Sequence, residues 1–445
     1  MSSYIIKDAR IVNEGYITEG DITVADGRFE KIGGIQESGH LTEITFDGDF
    51  LIPGIIDDQV HFRQPGLTHK ADIRSESMAA AAGGVTSFME MPNTIPPATT
   101  LALLEEKYQV AAESSIVNYS FFLGAGNDNM DEILKADYSQ ICGVKVFMGS
   151  STGDLLVDDE DALVNIFQNA PALIATHCED EATIRRNLEL FKEKYGENLN
   201  ASHHPAIRNA EGCYLSSSRA ISLAKRYDSR LHILHISTAI ETGLFENQTP
   251  LFQKRITSEA CVHHLYFNEK DYLPLGNKIK CNPAIKSEED QHSVFAALKD
   301  GRIDIVATDH APHTLEEKKQ HYLKAPSGLP LIQHSLNLML TFVKKGEASL
   351  EQVIHWMCHA PAECFGIRTR GYIREGYHAD FARLDFYENT VVDEESLFYK
   401  CGWSPLEGRS LPGKIKATWV NGAQVYEDGI ILTNAGQRLK FDTKF

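Results

Sequence analysis

The chain has 445 residues, 42% hydrophobic and 24% charged, with a formal net charge of −19. That length suits one large domain plus a minor module. The negative balance excludes nucleic acid and anionic membranes as main partners, and no apolar run is long enough to span a bilayer, so a cytoplasmic protein with a small-molecule partner is expected.

Residues 3–34 alternate polar and apolar positions, with turn signals at Asn13-Glu14-Gly15 and Asp26-Gly27, and read as short strands joined by hairpins. Residues 414–432 have the same texture, with Asn421-Gly422 between two β-like runs. The two ends are expected to build one small β-sandwich module from residues 1–52 and 367–445. Two separate β flaps are the alternative. Between them, in residues 53–366, β-like runs at 54–60, 85–89, 117–123, 143–148, 172–176, 231–236, 255–258 and 303–308 alternate with helical patterns. Eight such units predict an α/β chain folded as a (β/α)8 TIM barrel. No GxGxxG follows the first run, which disfavours a doubly wound open sheet.

Groups that bind metals or move protons fall on these runs. His61 follows the first, Lys145 lies in the fourth, His177 ends the fifth, His235 ends the sixth and Asp309 ends the eighth. Strand C-termini of such a barrel converge on one face, so the five are expected to meet there. Zinc takes imidazole and carboxylate ligands and keeps a position open for water, whose pKa it lowers. The eight cysteines form no CxxC pair and read as free buried thiols, so a Cys-ligated zinc is not expected. His203-His204, His263-His264 and the His355/His359 pair are metal-like by count alone, and Glu179 reads as a structural acid, with orientation of a neighbour as the alternative.

PGIIDDQVHFRQPG at 53–66 and ATDHAPHTLEEK at 307–318 resemble the two signatures of the dihydroorotase family of cyclic amidohydrolases. GVKVFM at 143–148, HCED at 177–180, HILHIST at 232–238, MPNT at 91–94 and CNPAIK at 281–286 resemble its remaining site segments, and the likeness spans nearly the whole chain. The resemblance implies zinc-dependent, reversible hydrolysis of (S)-dihydroorotate to N-carbamoyl-L-aspartate, a step of pyrimidine biosynthesis. It implies that His61 binds one metal, that Lys145 is carboxylated and bridges two, and that His177 and His235 bind the second. Asp309 would touch the first metal and carry the proton. Arg63, Asn93 and His313 would hold the substrate carboxylate, and Asn282 the ring. One or two zinc ions and a homodimer are implied as well.

One departure stands out. The first signature carries His at both i and i+2, and here the first is Gln59. Both positions face one side of a strand, with Asp58 turned away, and an amide is a weaker zinc ligand than imidazole. The first metal site is then weak, empty or completed by water. A hydantoinase or dihydropyrimidinase type of cyclic amidohydrolase, and a catalytically impaired dihydroorotase-like subunit, are the competing readings. The charged segment 310–330 is expected to be a mobile loop over the pocket.

Overall fold

The alternating N-terminal segment becomes β1 (Tyr4–Asn13), β2 (Tyr16–Ala25), β3 (Arg28–Ile32), β4 (Thr42–Thr45) and β5 (Phe50–Pro53). The structure, a computed structural model, describes residues 3–149, 155–157 and 159–442. β1 and β2 pair antiparallel, and Glu14 and Gly15 between them both take positive φ, as a two-residue hairpin turn requires.

The barrel follows as β6 (Ile55–Val60), β7 (Val85–Glu90), β8 (Asn118–Phe121), β9 (Leu123–Gly124), β10 (Val144–Phe147), β11 (Ile174–His177), β12 (Leu231–Ile233), β13 (Ile256–Cys261) and β14 (Ile305–Ala307). Every pairing among them is parallel. β8 and β9 are one strand interrupted at Phe122, and a parallel bridge from Val60 to His310 closes the cylinder. The eight predicted runs are thus the eight barrel strands. Helices such as Ile73–Ala82, Leu101–Ser114 and Ala210–Tyr227 form the outer layer, each opened by a side-chain cap from Asp72, Thr100 and Asn209. Among the described residues no helix is long and apolar enough to cross a membrane.

The chain then forms β15 (Phe381–Val391), β16 (Ser410–Val420), β17 (Ala423–Glu427) and β18 (Ile430–Ile431). β15 lies antiparallel beside β5, so both ends share one nine-stranded sheet in the order β18-β17-β16-β15-β5-β1-β2-β3, with β4 on β1. Separate flaps are therefore not what forms. Aromatic side chains fill the buried side of this sheet, with Phe381 stacked on Trp419 at 4.6 Å and 11°.

Past the sheet, the last described residues return to the barrel. Tyr119 N donates to Gln437 O at 3.0 Å, Leu439 N to Tyr119 O at 2.9 Å, and Phe441 N to Ser139 O at 2.9 Å. Leu439 and Phe441 bury themselves with Ile56, Met89, Phe122 and Leu234, away from the strand C-termini. Burying two such side chains contributes about 1.5–3 kcal/mol each.

Candidate active site

The rim where β6 meets β14 is fixed by buried polar bonds. His61 N donates to His310 O at 2.7 Å. Asp57 accepts from Gln59 N at 3.3 Å and from Thr308 N at 3.2 Å, and it pairs with Thr308 Oγ1 at 2.6 Å. Burial pushes the Asp57 carboxyl up to about 8. His310 is held by Glu76 at 2.8 Å and by Leu331 N at 3.0 Å, so it braces the rim and does not face the cavity. Arg63, His235 and Asp309 have φ of 70°, 42° and 46°. Such conformations cost L residues about 1–3 kcal/mol each and persist where packing forces them, commonly at functional sites.

At the strand C-termini lies a cavity of about 100 Å³. Its walls include His61, Arg63, Asn93, Lys145, His177, His235, Asn282 and Asp309, together with Gln59. Eight of the nine residues picked out from the sequence therefore share one space. The ninth, His313, stands behind Arg63. Within the cavity the polar groups divide into two sets.

In the first set, His61 Nδ1 meets Asn93 Oδ1 at 2.7 Å and His61 Nε2 meets Asp309 Oδ1 at 3.1 Å. Gln59 Nε2 donates to Asp309 Oδ1 at 3.2 Å, while its Oε1 accepts from Cys261 Sγ at 3.6 Å. The reverse amide orientation would set oxygen against carboxylate, so the Gln59 oxygen is committed away from the cavity. Burial pushes Asp309 up, but the hydrogen bond and charge of His61 outweigh it and hold the carboxyl below its usual range.

In the second set, His177 Nδ1 and His235 Nε2 face each other at 2.9 Å. Two nitrogens on a tetrahedral zinc at ~2.0–2.1 Å stand roughly 3.3 Å apart, so the pair is close to ligand spacing. His177 Nε2 bonds Glu179 Oε2 at 3.0 Å, and Arg208 also holds that oxygen. A carboxylate behind an imidazole fixes the tautomer and turns the other lone pair toward a cation. Burial lowers His177 despite Glu179 and takes His235 well below its usual range, so both rings are neutral. Burial also lowers the Lys145 amine to about 7. Its Nζ rests 4.5 Å above the Phe147 ring and has no hydrogen-bond partner among the described residues. Two neutral imidazoles and an amine near neutrality are a donor set that fits one divalent cation. Asp58 turns away from the cavity, as strand alternation implied, and lies with Glu259 around His232, at 3.4 and 3.2 Å.

Arg63 Nε donates to Pro312 O at 3.0 Å, and Nη2 contacts His313 Nε2 at 3.1 Å. Burial lowers the guanidinium to about 10, which leaves it charged at neutral pH. Lys70 Nζ meets the other nitrogen of His313 at 3.1 Å. His313 thus positions Arg63 and does not line the cavity.

Several supporting residues escaped the sequence reading. Glu179 orients His177, the role that came second to a structural acid in the sequence. His204 Nε2 lies 3.2 Å from Asn282 Oδ1 and its Nδ1 2.7 Å from Tyr322 Oη, so it orients Asn282. The segment 310–330, expected to be mobile, is clamped. Lys318 Nζ donates to Lys280 O, Pro326 O and Gly328 O at 3.1, 3.0 and 2.8 Å, and Lys280 Nζ donates to Tyr322 O and Ala325 O at 2.8 and 2.5 Å. Trp403 Nε1 adds a bond to His313 O at 2.7 Å. Buried amines satisfied by carbonyls leave no pattern in a sequence window.

With this geometry in place, comparison with known proteins is informative. The amidohydrolase family model matches residues 50–425. The chain is 33% identical to a dihydroorotase of Methanothermobacter thermautotrophicus, over 94% of this chain and 93% of that one. It is 32% identical to an allantoinase of Bacillus velezensis, over 96% and 94%. Its fold is similar to that of an L-hydantoinase from Arthrobacter aurescens, with a TM-score of 0.93 and 29% identity over 99% of this chain and 100% of that one.

Proposed function

The chain belongs to the amidohydrolase family, and from that premise we propose that it is a dihydroorotase, interconverting (S)-dihydroorotate and N-carbamoyl-L-aspartate in cytoplasmic pyrimidine synthesis. In this reading residues 53–366 are the catalytic barrel, and residues 1–52 and 367–445 make up the β module.

The observation that carries the choice of substrate is Arg63. Its guanidinium is buried in the cavity wall with Nε bonded to Pro312 O and Nη2 packed against His313, leaving Nη1 for a ligand. A fixed buried cation suits a ring that bears a carboxylate. Hydantoin and dihydropyrimidine rings offer it carbonyl oxygens but no carboxylate. Asn93 and Asn282 supply amides on either side, the latter held by His204.

We assign a single zinc to Lys145, His177 and His235, with the lysine carboxylated. Glu179 supports this by setting the His177 tautomer. When bound there, zinc supplies polarisation of the amide carbonyl and a lowered pKa for water. His61 and Gln59 hold Asp309 by hydrogen bonds, which supports a positioning role for both. Asp309, ionised, takes the proton of the attacking water and passes it to the ring nitrogen as the amide bond breaks. Ring closure runs the same transfers in reverse.

A panel of dihydroorotate, hydantoin, dihydrouracil and allantoin tests the reading. Turnover of dihydroorotate should dominate, and Asp309→Asn should abolish it with metal still bound. Faster turnover of a neutral ring would favour the hydantoinase type, to which the likeness to the L-hydantoinase lends support. No turnover of any ring would favour the impaired subunit.

A further inference from the structure

Beside Gln59, β13 ends in the short helix Val262–Tyr266 and brings together Cys261, His263 and His264. One ligand atom from each lies within 4.8 Å of the other two. All three side chains are buried. Both ring nitrogens of His263 and Nδ1 of His264 have no hydrogen-bond partner among the described residues. The Thr308 backbone lies near His263 without making a well-formed bond to it. Buried polar atoms left unpaired cost about 1–3 kcal/mol each, and three in one spot call for an explanation.

The remaining nitrogen supplies a clue. His264 Nε2 lies 3.0 Å from Pro283 O. A carbonyl only accepts, so Nε2 carries the proton and Nδ1 keeps its lone pair, facing the cluster. An imidazole anchored by a backbone carbonyl with its other nitrogen free is the usual posture of a metal ligand. A fourth donor is at hand, since Gln59 Oε1 lies 3.6 Å from Cys261 Sγ. Cys261 Sγ also lies 3.8 Å from Glu259 Oε1.

We propose that Cys261, His263 and His264, with Gln59 Oε1 as fourth donor, hold a second divalent cation of the zinc class, separate from the one assigned to Lys145, His177 and His235. Sulfur and imidazole donors select zinc or cobalt over magnesium or calcium. Tetrahedral zinc sets such donors roughly 3.3–3.6 Å apart, so the side chains close in by at most about 1.5 Å. The site gives Gln59 a purpose that an inward imidazole could not serve. Its amide bridges the two regions, nitrogen toward Asp309 and oxygen toward the bound ion, so the ion would brace the residue that holds the proton carrier. This holds whichever ring the enzyme opens. In the sequence, His263-His264 is metal-like by count alone, and only the fold brings Cys261 and Gln59 to it.

Cobalt(II) is the probe. The full-length chain, stripped with chelator and reloaded, should bind two equivalents and show a near-ultraviolet thiolate-to-cobalt charge-transfer band. Cys261→Ser should lose the band and one equivalent. Lys145→Ala should lose the other equivalent and keep the band, so the two assignments are read separately. His264→Asn serves as a second variant, checked for folding by circular dichroism, and should weaken cobalt binding at least tenfold. A cobalt-loaded protein without the band, or Cys261→Ser with unchanged stoichiometry, would overturn the proposal.

Discussion

Replacing Arg63 by methionine tests the substrate assignment at its root. The change keeps an unbranched side chain in the cavity wall and removes the buried cation. Deleting one member of a buried, hydrogen-bonded charge pair costs about 2–5 kcal/mol. Arg63 Nε is bonded to Pro312 O and Nη2 is packed against the His313 ring, whose Nε2 faces Ser327 O, so the ligand is left chiefly with Nη1 and a single charge-assisted bond. That places the loss toward the lower half of the range, at about 3 kcal/mol, a fall of about 150-fold in kcat/KM. The assay compares dihydroorotate with dihydrouracil, which has the same ring without the carboxylate, in wild-type and variant enzyme. Dihydroorotate turnover should fall by that factor while any dihydrouracil turnover stays within about threefold. An equal fall for both rings would mean that Arg63 supports the site without reading the carboxylate, and the reasoning would fail.

Further outcomes follow from the groups around the cavity. Glu179→Leu removes the acceptor that fixes His177, and metal affinity should drop about 10- to 100-fold in a chelator competition; unchanged affinity would sink the tautomer argument. Asp57 has a folded-state pKa raised to about 8 by burial, so it favours folding at low pH and that contribution is lost as pH rises through about 8. Asp57→Asn should flatten the pH dependence of denaturant stability between the ordinary carboxylate range and pH 8, and an unaltered slope counts against it. Lys318→Met orphans Pro326 O and Gly328 O, whereas Lys280 O keeps its bond from Gly328 N. At ~1–3 kcal/mol per orphaned acceptor, hydrogen exchange in residues 311–328 should quicken markedly and the melting temperature should fall. Protection equal to wild type would show that the amine does not clamp the loop.

The barrel was legible because parallel strands buried on both faces are written as apolar runs, such as Gly143-Val144-Lys145-Val146-Phe147, with polar helical stretches between them. The cavity was legible because a barrel gathers strand ends, so His177 and Asp309 needed only to be placed on their strands. What escaped depends on orientation. His313 and Arg63 were both assigned to substrate, yet one stands behind the other. His204, 78 residues from Asn282, comes to it through tertiary packing alone. Segment 310–330 looked mobile from its charge, but Lys318 is turned inward onto carbonyls. Sign and density of charge do not tell which way a long side chain points.

The return of the chain end to Tyr119 bears on how the molecule is made. A ribosome that has delivered residues up to 430 has supplied all eight staves of the cylinder and every group that lines the cavity. The apolar layer around Phe122 is still open to water at that moment, because Leu439 and Phe441 have yet to emerge. Synthesis of this fold is therefore finished from the underside, and the catalytic mouth is complete in sequence before its base is shut.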